Sequence, residues 1–159
     1  SAAGMAGFVI MTPETGYIFM PFQGQQAPEP MTADDIKEGV DDLDIQGSRL
    51  IDYKEKGHTV ELMGTEEIEG TECYKLKVTR KNSGEQTLFI DKDSYLLVRS
   101  TQKRKAMGQE MDVNIDYSDY REVANVKIPH AIGQGMGTVV MTSVKVNEEI
   151  PASSFELPK

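Results

Sequence analysis

The sequence has few of the residue types that cross-link, anchor or catalyse. Of its 159 residues one is cysteine, none is tryptophan and two are histidine. The lone thiol, Cys73, can close no internal disulfide and supplies neither a paired redox motif nor a zinc motif. No apolar run approaches the roughly 20 residues that a membrane-spanning helix needs. Positive charge is in deficit, and the formal net charge is -9. That balance disfavours nucleic acid and anionic membrane surfaces as partners, because both are polyanions. The opening Ser1-Ala2-Ala3-Gly4 has no basic stretch leading into an apolar core, so no signal peptide is read there.

Motifs of catalysis are scarce as well. There is no Gly-x-Ser-x-Gly elbow, and His58 and His130 lie far apart, neither in a recognisable nucleophile setting. Both read as structural or surface residues. Asp112-x-Asn114-x-Asp116 has the opening spacing of a calcium loop. The glycine and bidentate glutamate that such a loop needs are replaced by Tyr117 and Val123. Gly133-Gln134-Gly135-Met136-Gly137 looks like a phosphate loop, but the β-prone Thr138-Val139-Val140-Met141-Thr142 follows it in place of a helix. A hairpin turn fits better. The expectation is a non-enzyme without metal or cofactor.

What the sequence does have is alternation. From Glu110 to Tyr117, Glu110, Asp112, Asn114 and Asp116 alternate with Met111, Val113, Ile115 and Tyr117, the pattern of a half-buried antiparallel strand. Tyr74-Lys75-Leu76-Lys77-Val78-Thr79 alternates in the same way, with its lysines outward. Val60, Leu62 and Ile68 share a parity in an earlier run, interrupted at Gly64, which marks a bulge. Turn signals at Glu69-Gly70-Thr71, Asn82-Ser83-Gly84-Glu85, Asp91-Lys92-Asp93-Ser94, Met107-Gly108-Gln109 and Ala124-Asn125-Val126 separate roughly six strands of a meander. Phe8-Val9-Ile10-Met11 and Tyr17-Ile18-Phe19-Met20 form a hairpin ahead of it, and a loop from Pro21 to Pro30 follows that hairpin.

One stretch departs from the alternation. Thr32-Ala33-Asp34-Asp35 is a helix start, a hydroxyl cap followed by acids at the positive end of the macrodipole. Ile36, Val40 and Leu43 recur at helical spacing, which predicts a helix to about Asp44; Ser48 to Lys56 is a candidate second short helix. The nine methionines fit either gap-filling in a core or a surface that accepts varied apolar ligands. Lys103-Arg104-Lys105 reads as a solvated strand edge.

Several of these segments resemble a known family. Tyr74-Lys75-Leu76-Lys77-Val78-Thr79 and Phe89-Ile90-Asp91-Lys92-Asp93-Ser94-Tyr95-Leu96 resemble the bacterial outer-membrane lipoprotein-sorting proteins, the LolA-like superfamily. Asp119-Tyr120-Arg121-Glu122-Val123 with Ile128-Pro129-His130, and Val146-Asn147, Ile150 and Phe155-Glu156-Leu157-Pro158, are similar to that family too. The resemblance runs from about Val60 onward. It implies a mainly β fold, a curved, incomplete half-barrel whose concave face is apolar and covered by helices, and carriage of lipoprotein acyl chains in the periplasm. By that resemblance the chain is a single domain over residues 1–159 that begins at a later strand than family members do, its signal peptide removed or lying outside the sequence. The edge left near Phe8 to Met11 would then be open to pairing in a homodimer.

Strand parity supplies the candidate lining of the cavity: Val60, Leu62, Tyr74, Leu76, Val78, Met111, Val113, Ile115, Val139 and Met141. Ile36, Val40 and Leu43 are the candidate inner contacts of a lid. The expected partners are a lipoprotein or lipid acyl chain and a membrane-associated donor or acceptor protein. Two alternatives stand beside this one. The first is a sensor or scaffold of the same fold that recognises protein and not lipid; the second is a hydrolase using His58 or His130.

Overall fold

The computed structural model describes residues 7–43, 50–106, 109–135 and 137–151. They fall into two compact units, one from Ser1–Ser48 with Glu149–Lys159 and the other from Arg49–Glu148.

The first unit holds the expected hairpin. Strands β1 (Phe8–Met11) and β2 (Gly16–Phe19) pair antiparallel, with Phe8 opposite Phe19 and their ring centroids 5.6 Å apart. The segment predicted as a plain loop carries more structure than that. It contains a 3-10 turn at Pro21–Gln23, and a short strand β3 (Glu29–Pro30) adds to β2, leaving β1 at one edge of the three-stranded sheet. Helix α1 (Ala33–Gly39) starts at the predicted cap: Thr32 Oγ1 accepts from the Asp35 N–H at 3.2 Å, and Asp35 Oδ2 accepts from the Thr32 N–H at 3.2 Å. Its end comes sooner than predicted. Gly39 is a poor helix former, and the acids that follow oppose the negative end of the macrodipole. Val40–Asp42 therefore tighten into a 3-10 turn, while Asp44 lies outside the described residues. Gly39 also makes room for β1, since a Cβ there would meet the Met11 side chain at 2.7 Å.

The second unit is a seven-stranded antiparallel meander. Its strands are β4 (Thr59–Ile68), β5 (Thr71–Arg80), β6 (Gly84–Asp91), β7 (Leu97–Ala106), β8 (Gln109–Val123), β9 (Val126–Gln134) and β10 (Gly137–Val140), one more than the sequence predicted. Each pairs only with its neighbours in sequence, so β4 and β10 are the two edges and the sheet does not close into a barrel. Two-residue turns with both residues at positive φ, Glu69-Gly70 and Ala124-Asn125, give the tight hairpins that suit twisted strands. The bulge expected at Gly64 is present, as a register shift between Leu62 and Gly64, and a second lies between Phe89 and Ile90 on the β6–β7 ladder. The short helix predicted at Ser48 to Lys56 does not form among the described residues. Asp52 sits at φ 52, and hydrogen bonds from Lys56, Gly57 and His58 N–H back to Asp52, Lys54 and Tyr53 wind the segment into turns. No helix among the described residues is long and apolar enough to cross a membrane.

Candidate functional site

Parity assigns faces within a strand; register decides whether those faces join. Across the second unit they do. Leu62, Leu76, Leu88, Ser100, Ile115 and Gln134 stand opposite one another from β4 to β9. A parallel row runs Val60, Val78, Gln86, Gln102, Val113. A third links Tyr117, Ile132 and Val139. Tyr74, Met111 and Met141 follow by the two-residue repeat, so all ten predicted lining residues share one face of the sheet.

They are not equally covered. Val78 is fully buried, Leu62, Met111 and Val139 are 61%, 55% and 64% exposed, and the other six are half-buried. Ile36, Val40 and Leu43 are half-buried in the first unit.

Sequence reasoning missed part of this face. Leu88 is buried on it, Ile90, Tyr117 and Ile132 belong to it, and so does a polar line at its centre. Ser100 is wholly buried with its Oγ 3.2 Å from the Tyr117 hydroxyl, and Gln86 is 3% exposed with its Oε1 lacking a hydrogen-bond partner. Leu88-Phe89-Ile90 reads as an unbroken apolar run because each face of the sheet takes part of it.

The other face is charged and carries a small apolar core of its own. Ile68, Cys73 and Phe89 are buried there, with Val98 against them. Ile68 does not share the face of Val60 and Leu62 as its parity predicted, because the bulge before Gly64 shifts the register by one residue. Around them Lys75 pairs with Glu66 at 2.8 Å and Lys77 with Glu85 at 2.7 Å, while Arg99 bridges Asp116 and Glu69. These carboxylates hold the Arg99 guanidinium above its ordinary range, through the hydrogen bond to Asp116 first. A cleft of about 450 Å³ opens on this side, lined by Ile68, Phe89, Lys75, Lys77, Arg99, Thr87 and their neighbours, and by none of the ten predicted residues. The Asp112-Asn114-Asp116 stripe lies here too. Asn114 accepts from Thr101 at 2.8 Å, Asp116 engages Arg99, and Asp112 stands opposite Lys103. Lys103-Arg104-Lys105 pair with Asp112, Met111 and Glu110 of β8, while the register between β6 and β7 ends at Gln86 and Gln102, so this end of β7 has a paired strand on one side among the described residues.

The titratable groups are engaged in holding the sheet. His58 Nδ1 accepts from the Lys81 N–H at 3.1 Å, and His130 Nδ1–H donates to the Ile128 carbonyl at 2.9 Å; both rings are buried. Burial pushes the Cys73 thiol up, with Asp91 adding to the effect, which makes it a poor nucleophile. Tyr120 donates to the Leu97 carbonyl at 2.6 Å, and burial with a smaller effect of Tyr117 pushes its hydroxyl up to about 12. The fold therefore favours the neutral phenol. Its contribution is complete below pH 10, the ordinary tyrosine value, and is lost as pH rises through about 12. Tyr120→Phe should lower stability at pH 8 by about 1 kcal/mol and flatten the alkaline limb of a pH–stability curve followed by urea unfolding.

No protein-family model matches this sequence, and no curated protein matches it. Among solved structures the chain is similar to a putative outer membrane lipoprotein-sorting protein domain from Vibrio parahaemolyticus, at 15% identity over 84% of this chain and 62% of that one, with a TM-score of 0.49. It is similar to a DUF1329 family protein from Desulfovibrio piger at 13% identity, 89% and 62% coverage, and a TM-score of 0.49. A LolA superfamily protein from Nitrosomonas europaea matches at 10% identity over 98% of this chain and 72% of that one, with a TM-score of 0.52. The chain thus spans 62% of the length of the first of these. At such identities a likeness speaks for architecture, and the Nitrosomonas structure carries it. The open, antiparallel meander of this chain is thus similar in fold to that LolA superfamily structure.

Proposed function

We propose that the apolar face of the seven-stranded sheet binds an acyl chain, that of a lipoprotein or of another hydrophobic ligand, non-covalently and in the periplasm. The observation that supports this reading is the register: ten side chains from β4, β5, β8 and the β10 segment share one face, and Leu62, Met111 and Val139 on it remain more than half exposed. A surface of that kind stabilises a bound chain by about 0.8 kcal/mol per methylene removed from water. Such binding needs no nucleophile and no metal. The positions of His58 and His130, each bonded to the backbone, give a hydrolase reading no support. A carrier of this kind would exchange its ligand with membrane-associated donor and acceptor proteins.

A second reading has its own observation. Val78, Leu88 and Ser100 are already buried, so part of the face is covered without a ligand, as a protein-recognising sensor of this fold would have it. Native mass spectrometry of the gently purified protein, followed by organic extraction, separates the two. A lipid or fatty acid retained at stoichiometric level is the expected result. A bare protein that also takes up no added lipid would overturn the carrier reading in favour of the sensor.

A further inference from the structure

The two edges of the seven-stranded sheet are built differently. An edge strand presents unpaired backbone groups, and proteins guard it with charge, bulges or a cover. β4 is guarded. It carries Glu61, Glu66 and Glu67 and no cation, and a bulge interrupts it between Leu62 and Gly64. Pairing β4 with another copy of itself would bring carboxylates together.

β10 has none of these devices. From Gly137 to Val144 the sequence is Gly-Thr-Val-Val-Met-Thr-Ser-Val, uncharged and free of proline. All four strand residues are exposed, with Val139 at 64% and Val140 at 59%, so among the described residues neither face of β10 is covered. The backbone polarity follows from one bond. The Met141 N–H donates to the His130 carbonyl at 2.8 Å, which makes Met141 and, two residues back, Val139 the positions bonded to β9. The intervening Thr138 and Val140 turn their N–H and C=O groups to the open side, where no further strand is paired among the described residues.

We propose that two copies of this chain join edge to edge through β10, antiparallel about a two-fold axis at Val140. That register sets Thr138 opposite Thr142 and Val139 opposite Met141 of the other copy, with no charge on either side of the junction. An antiparallel strand is self-complementary under a two-fold axis, so the contact closes as a dimer and does not propagate. Val139 and Met141 belong to the apolar face, so the dimer runs the apolar faces of the two copies together into one surface. The inference rests on the edge alone and stands whether or not that face binds lipid.

A junction of so few residues buries less than a standard interface, so the dimer is weak and reversible. Sedimentation equilibrium of the purified chain, from low into high micromolar concentration, should show the mass rising from one chain to two. Val140→Lys sets two cations opposite each other at the axis and should weaken association at least about tenfold. Val140→Pro removes the outward N–H without touching the Val139–Ile132 pairing and should do the same. Thr65→Lys on the β4 edge should leave the dimer intact, and circular dichroism reports whether each variant is folded. A wild-type chain that stays monomeric throughout, or folded Val140 variants that dimerise like wild type, would overturn the assignment.

Discussion

Phe89→Ala is expected to lower the stability of the sheet by about 3–5 kcal/mol, the usual cost of deleting a buried aromatic ring. Phe89 is 5% exposed and is the largest side chain of the small core on the charged face, which it forms with Ile68, Cys73 and Val98. The ring also carries Lys75, whose Nζ lies 5.7 Å from its centroid while pairing with Glu66. Removing the ring leaves that ammonium over a void and strips the floor from the cleft. Because the cleft is open, water enters the space, which places the cost toward the lower end of the range. Against a domain stability of about 5–15 kcal/mol the loss is a large part of the total. Urea unfolding should show the midpoint falling with the slope unchanged, and Phe89→Leu should recover most of it. A loss below 1 kcal/mol would mean that the charged face has no core and that the apolar face alone holds the sheet.

That second core illustrates what sequence patterning could and could not reveal. The strands of β5 and β8 were legible because lysines and acids alternate there with apolar residues, and the turns because Gly70 and Asn125 suit positive φ. β7 shows no such period. Arg99-Ser100-Thr101-Gln102 is polar throughout, and it is a central strand only because β6 and β8 pair with it on either side. Its serine is buried on the apolar face by those neighbours, a tertiary effect that no local preference encodes. The α1 cap was legible from Thr32 to Asp35, whereas the helix end depended on Gly39 making room for Met11 of β1. The candidate lining was legible as four separate parities. That they form one surface became visible only with the register, which depends on bulges whose effect on alignment a sequence does not show.

Leu76→Asp is the substitution that divides a binding surface from a filled core, and the expected result is a folded protein that no longer binds acyl chains. Leu76 lies between Leu62, which is 61% exposed, and Leu88, which is 3% exposed. Half-buried, it gives an aspartate access to water, so the carboxylate stays hydrated and the fold loses about 1–3 kcal/mol, not everything. A bound chain crossing the same row would cover that carboxylate and strip its water. The charge therefore costs the complex more than it costs the free protein, and affinity should fall at least about tenfold. Leu88→Asp supplies the contrast, since a charge there has no route to solvent and should unfold the sheet. Because the protein carries a net charge of -9, a neutral pyrene-labelled acyl ester is the better probe; an anionic fatty acid would be repelled by every variant. Wild type should enhance its fluorescence, Leu76→Asp should not, and the circular dichroism spectra of the two should coincide. If Leu76→Asp unfolds as Leu88→Asp does, the row is core throughout and the face belongs to protein recognition. If Leu76→Asp folds and binds as wild type, the acyl chain does not cross this row, and the proposed site on the sheet is wrong.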